Sequence, residues 1–322
     1  MITRVFPFFV GSGRSGTTLV RAMFDSHPEL SVPGESGFIT RLGRHACRRY
    51  GCNGTFDSSA FVSDILAHPR FARWGITEDQ VRNVLLAEPA TTFAEAIRGI
   101  YSLYARKNGK PLYGDKTPVY VMHIPYLAGL FPESRFVHII RDGRDVALSH
   151  LSIKEWGPGT IEEAALEWKQ RVLAGRRAGE NLEPGRYVEL RYEELVADPE
   201  SALRPVCDVL DLPFDDGMLH YFDRVERILD PEYHPQHHKR IALPPTVKLR
   251  DWRTQMTSRD AARFEAIAGR LLLELGYERT CPQVSAGIRV EAVARLAVAK
   301  SRYLRSYSAQ LRKRLRLKNL GR

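Results

Sequence analysis

Residues 11–18 read Gly11-Ser12-Gly13-Arg14-Ser15-Gly16-Thr17-Thr18, which places three glycines, four hydroxyls and one guanidinium between a β-prone run and a helical pattern. A helix N-terminus offers backbone N–H groups with no intrahelical acceptor and the positive end of the helix dipole, so this loop has the chemistry of an anion site, phosphate foremost. The spacing follows the G-x-x-x-x-G of nucleotide-binding loops. Thr17, however, stands where an NTPase carries the lysine that reaches the terminal phosphates. A triphosphate with its magnesium needs more compensating charge than one arginine supplies, so Arg14 without that lysine points to a less charged phosphate ester. The bland alternative is a glycine-rich turn that only lets a strand pack on a helix.

A second charged string, Arg141-Asp142-Gly143-Arg144-Asp145, follows another short apolar run and leads into Val146-Ala147-Leu148-Ser149-His150. Arg141 at the end of a parallel strand and Ser149 two turns into the next helix are expected to converge on one phosphate. Two anion sites would then flank one cleft, as a nucleotide phosphorylated at both its 3′ and 5′ ends requires. The alternative is a solvated turn with Arg–Asp pairs. His123, His150 and the cluster His234, His237 and His238 lack an HExxH spacing, and no metal site is expected.

The elements that must position these residues follow from pattern. Val5, Phe6, Phe8, Phe9 and Val10 form a continuous apolar run ending at Gly11, which predicts a buried strand; Leu19, Val20, Met23 and Phe24 then predict a helix that His27-Pro28 stops. Residues 57–107 read as helical, with Thr77 to Gln80 in the form of a capping box and Phe93, Ile97, Ile100, Tyr101 and Tyr104 at helical spacing. Phe136 to Ile140 and Tyr187 to Leu190 predict further strands, and Ser258 to Leu275 a core helix, while the Pro- and His-rich stretch 230–250 reads as a loop. Strands separated by helices predict an α/β fold: a P-loop-type parallel sheet flanked by helices, with a helical insertion over about 41–110.

The order and spacing of these motifs resembles the PAPS-dependent sulfotransferases (PAPS, 3′-phosphoadenosine-5′-phosphosulfate), bacterial enzymes and the tyrosylprotein branch most of all. The resemblance rests on GSGRSGTTLVRAMFDSHPEL (11–30), GDKTP (114–118), YLAGLFPESRFVHIIRDGRDVALSHL (126–151) and YEELVADPE (192–200), and extends over about residues 6–277. It implies an α/β domain over 1–287 in which Gly13, Arg14, Ser15, Gly16, Thr17 and Thr18 hold the 5′-phosphosulfate, while the RDGR segment with Arg141 and Ser149 holds the 3′-phosphate. Tyr192 would lie near the nucleotide. It further implies Glu35 as the general base toward an acceptor hydroxyl, with Arg14 and Lys116 facing the departing phosphate. The product would be 3′,5′-bisphosphoadenosine. The usual histidine context of the small-molecule sulfotransferases is missing. Alternatives to Glu35 as base and Lys116 as catalytic cation are a carboxylate at a helix N-terminus and a surface ion pair with Asp115. The acceptor stays open among sugar, lipid, peptide tyrosine and metabolite. Rival functions are a P-loop kinase or NTPase acting on a small molecule, and a nucleotide-binding membrane adaptor without turnover.

The net charge of +10 is unevenly spread. Residues 288–322 hold eleven of the 48 Lys and Arg but only Glu291 of the 38 acids, so the first 287 residues balance at 37 of each. A basic tail on a neutral body argues against a fold built to grip nucleic acid specifically. Val293, Leu296, Leu304, Tyr307, Leu311 and Leu315 recur near helical spacing there, which predicts a basic amphipathic helix. Such a helix could contact a membrane surface, recruit an acceptor or pack on the body. A homodimer is also left open. No run reaches the roughly 18 to 20 apolar residues of a membrane helix and no leader pattern opens the chain, so cytoplasmic residence is the expectation. Cys47, Cys52, Cys207 and Cys281 make no CxxC or zinc spacing; reduced thiols are expected, with a Cys47–Cys52 bridge as the alternative.

Overall fold

A computed structural model describes residues 5–51, 54–153, 158–224, 243–244, 251–280 and 283–298. The chain forms two compact units, one of residues 1–141 and 171–249, the other of residues 142–170 and 250–322.

The first unit is built on four parallel strands in the order β4-β1-β5-β6: β1 (Phe6–Gly11), β4 (Asp115–Lys116), β5 (Ser134–Ile140) and β6 (Tyr187–Arg191). The uninterrupted apolar run of β1 has a reason: every residue of the strand is buried, because both sheet faces are covered. Side chains alternate across a strand, and two cores result. Phe6, Phe8, Val10 and Phe136 enter one, with Ile97, Ile100 and Tyr101 of α6 (Phe93–Lys107). Phe9, Val137, Ile139 and Leu190 enter the other, with Val20, Met23 and Phe24 of α1 (Thr17–Asp25) and Leu203, Val206 and Cys207 of α11 (Pro199–Val209).

The insertion is helical as expected, from α2 (Phe38–Gly43) and α3 (Ala46–Tyr50) through α4 (Ser58–Leu66) and α5 (Glu78–Ala87) to α6. Thr77 and Gln80 form the predicted capping box, and Thr92 with Glu95 a second. On either side of it lie the two-residue parallel strands β2 (Leu30–Ser31) and β3 (Leu112–Tyr113), which pair with each other. α7 (Ile124–Leu130) leads to β5, and α10 (Tyr192–Ala197) follows β6. The reduced-thiol expectation is corrected at Cys47, which is disulfide-bonded. Cys207 is free and buried; Cys52 and Cys281 lie outside the described residues, as do the 230–242 part of the predicted loop and its histidines.

The second unit contains α8 (Gly143–Leu151), the beginning of α9 (Ile161–Gly179), α12 (Trp252–Gln255) and α13 (Ser258–Glu274), the last as predicted. Gly143 is required by space, since a Cβ there would run into Trp168 and Phe264. Residues 286–298 are helical; the rest of the basic tail lies outside the described residues.

Candidate active site

Each strand of the main sheet delivers site residues at its carboxyl end, where parallel α/β sheets bind ligands. Lys116 closes β4, the glycine loop follows β1, Arg141 follows β5 and Tyr192 follows β6. Neighbouring strands are about 5 Å apart, so Lys116, the loop, Arg141 and Tyr192 stand in a row.

The loop is shaped by backbone constraints. At Gly11 a Cβ would lie 2.5 Å from the Ile139 carbonyl oxygen, so only glycine lets β1 end this close to β5. Gly16 has φ +92° and a Cβ there would strike the Tyr192 ring, which requires glycine for both reasons. Arg14 adopts φ +68°, a strained choice for a non-glycine residue that costs about 1–3 kcal/mol and turns the loop back toward α1. α1 begins after Gly16 with no side-chain cap and no acid in its first turn. The buried hydroxyls of Ser12 and Ser15 find no hydrogen-bond partner among the described residues, and Thr17 is buried at the helix start. Uncapped N–H groups beside orphaned hydroxyls are donors in search of an anion, so the loop fits the 5′ end of the nucleotide.

Tyr192 joins this loop to the second string. Its ring lies against Gly16 on one side, and the Arg141 guanidinium sits 4.3 Å from the ring centroid. The two stretches therefore meet around one aromatic side chain, and Tyr192 is a spacer between them as well as a core residue. Arg144 behaves otherwise and corrects the reading of RDGR as one binding segment. Its fully buried guanidinium pairs with Asp142 at 2.8 Å and Glu265 at 2.9 Å, and lies 3.6 Å from the Trp252 ring centroid. Arg144 is a structural cation of the second unit, neither a phosphate ligand nor part of a solvated turn. Ser149 also belongs to the second unit, buried on α8.

Glu35 and Lys116, 81 residues apart, form an ion pair at 2.9 Å. The other Glu35 oxygen meets Arg70 at 3.3 Å. Burial alone would raise the Glu35 carboxyl, but Lys116, then Arg70 and Arg21, outweigh it and hold the pKa below the ordinary carboxylate value. Lys116 is almost fully buried; desolvation pulls its pKa down, and Glu35 opposes this only in part. Glu35 precedes α2 by three residues and makes no capping hydrogen bond to it, and the carboxylate ion-paired with Lys116 is that of Glu35.

Asp115 faces the core instead, because adjacent residues of a strand point to opposite sides. It accepts hydrogen bonds from Tyr101 (2.6 Å) and Thr117 (3.3 Å); the Ser36 N–H donates to Thr117 Oγ1 (3.0 Å), and the Ile39 N–H to the Tyr120 hydroxyl (3.1 Å). Burial pushes the Asp115 carboxyl up against these bonds. This buried network locks the segments carrying Glu35 and Lys116 side by side. Arg70 and Arg21 were invisible as site residues. Arg21 has a faint signal, one helical turn beyond Thr17, and Arg70 has none, since it sits in an insertion without a motif.

Residues 7–216 match the family model described as the Sulfotransferase family. The chain belongs to that family. Among relatives, it is 26% identical over 306 residues to protein-tyrosine sulfotransferase A of Caenorhabditis elegans, covering 91% of this chain and 72% of that one. Protein-tyrosine sulfotransferase 1 of Danio rerio is 25% identical over 300 residues, covering 84% and 72%. The sulfotransferase domain of the Synechococcus PCC 7002 olefin synthase shares the fold with a TM-score of 0.61 at 21% identity, over 86% of this chain and 98% of that one. The corresponding domain of the curacin biosynthetic pathway gives 0.57 at 18%, over 86% and 99%. This sulfotransferase is an enzyme with PAPS as co-substrate, which sets aside both the kinase and the adaptor readings.

Proposed function

We propose that this sulfotransferase moves the sulfuryl group of PAPS to a phenolic, tyrosyl hydroxyl by in-line displacement, with Glu35 as general base. The observation that carries the proposal is the pairing of the partly exposed Glu35 with the buried Lys116 at the carboxyl edge of β4, next to the strand that feeds the anion loop. When bound, PAPS supplies an activated sulfuryl group on a phosphate leaving group. The loop N–H groups, Ser12, Ser15, Thr17 and Thr18 hold the 5′ end, and Arg141, oriented by Tyr192, meets the 3′-phosphate. Glu35 takes the proton of the acceptor hydroxyl as that oxygen bonds to sulfur. The electron pair of the breaking S–O bond stays on the phosphate oxygen, which Lys116 and Arg14 face.

The lowered pKa of Glu35 supports a phenol over an aliphatic alcohol. A weak base can deprotonate a group of pKa about 10 as it reacts far more readily than an alcohol several units less acidic. The names of the tyrosine-sulfating relatives point the same way. Radiolabelled PAPS incubated with a tyrosine-containing peptide, a sugar and a simple alcohol tests this: the peptide is expected to take the label. Glu35→Gln is expected to lower kcat roughly 10²- to 10⁴-fold while leaving binding of 3′,5′-bisphosphoadenosine in place. Label on sugar or alcohol alone rejects the phenolic acceptor, and undiminished turnover by the Gln variant rejects the base.

A further inference from the structure

The helix over 286–298 is fixed on one side and exposed on the other. Ala292 is fully buried, and Glu291 pairs with Arg259 at 2.9 Å and with Arg263, both on α13. These contacts define the inner face. At 100° per residue the opposite face carries Val290, Val293, Ala294, Ala297 and Val298, all exposed, with the valines at 70%, 65% and 51%. No charged residue falls within this stripe; Arg289 and Arg295 flank it. Among the described residues nine large hydrophobic side chains are exposed, and three are these valines. Single exposed apolar residues are ordinary, whereas an aligned set on a helix marks a contact surface.

We infer that this face docks on an anionic lipid bilayer, with the helix lying in the plane of the headgroups. Charge complementarity selects that occupant. Residues 299–322, which continue the chain from the stripe, hold nine Lys and Arg and no acid. An anionic bilayer satisfies both features at once, since the valines enter the acyl boundary and the bases meet the headgroups. A nucleic acid would use the bases and leave the valines in water, and a second copy of the chain would bring like charges together.

The test is sedimentation of the full chain with vesicles of phosphatidylcholine alone or with about 30% phosphatidylserine. The chain is expected to pellet with the anionic vesicles only. The variant V290D/V293D/V298D should lose this binding by roughly 10- to 100-fold, with its melting transition and sulfuryl transfer unchanged. A single Val293→Trp variant gives a readout independent of the triple variant's folding: its added emission should shift to the blue on anionic vesicles. Absence of pelleting, pelleting that the triple variant retains, or no spectral shift overturns the inference. So does a wild-type dimer that the triple variant dissolves, or duplex DNA binding that the valine changes weaken equally.

Discussion

Glu35 is held ionised by three cations, and its titration gives the proposed mechanism a sign. Its folded pKa lies below the ordinary value of 4.5, so the base form, and the stability its ion pairs contribute, are present above that pH and are lost as pH falls through the folded value. The acid limb of kcat/KM should therefore lie below pH 4.5. Lys116 is shifted down from 10.5, so the alkaline limb, where it loses its proton, should begin below that value. Arg70 lets the assignment be checked without removing a group that touches the reacting atoms. Arg70→Ala removes one charge that depresses Glu35 and frees one carboxylate oxygen. We expect the acid limb to move up in pH, with kcat/KM reduced about 10-fold at neutrality. A pH–rate profile with an unmoved acid limb would show that Arg70 acts only on the fold around it.

At the scale of elements, two arginines three residues apart do different work. Arg141 ends a strand and stacks on Tyr192; Arg144 opens α8 and is buried against Glu265 of α13. Arg144→Met takes the buried guanidinium away from Asp142 and Glu265, although Glu265 keeps Arg279 at 3.5 Å, so chemical denaturation should show a loss of about 3–5 kcal/mol. Arg141→Met should cost less stability than Arg144→Met, yet weaken 3′,5′-bisphosphoadenosine binding by calorimetry roughly 10- to 100-fold. Sequence could not separate these roles. Both residues occupy one charged string, and both are buried; where each guanidinium goes is set by the end of β5 for Arg141 and by α8 for Arg144. The strands and the glycine loop were legible because fully covered strands must be apolar throughout and because Gly11 and Gly16 stand where no Cβ fits. The Glu35–Lys116 pair was legible only through family resemblance, since 81 intervening residues leave no periodic trace. Tyr192 was half legible: its position was read, but its placement between Gly16 and Arg141 depends on packing across β1, β5 and β6.

At the scale of the whole molecule, the change in composition and the change in structure fall at different places. Charge turns sharply basic after residue 287, which suggests an appendage that could be removed without consequence. The helix over 286–298 is instead tied to α13 through Glu291, whose carboxyl is pulled down to about 2 by Arg259 and Arg263. Ala292, inside the helix, and Val284, just before it, are buried. Removing residues 286–322 should thus expose apolar surface on α13 and strand Arg263 beside Glu162, lowering the melting temperature by about 2–6 °C. Removing only residues 299–322 takes away nine bases and leaves every one of those contacts in place. That shorter truncation should melt within about 1 °C of the full chain. Differential scanning calorimetry of the two truncations distinguishes the cases: equal melting temperatures would mean that the half-buried Glu291 cluster contributes nothing to the folded state.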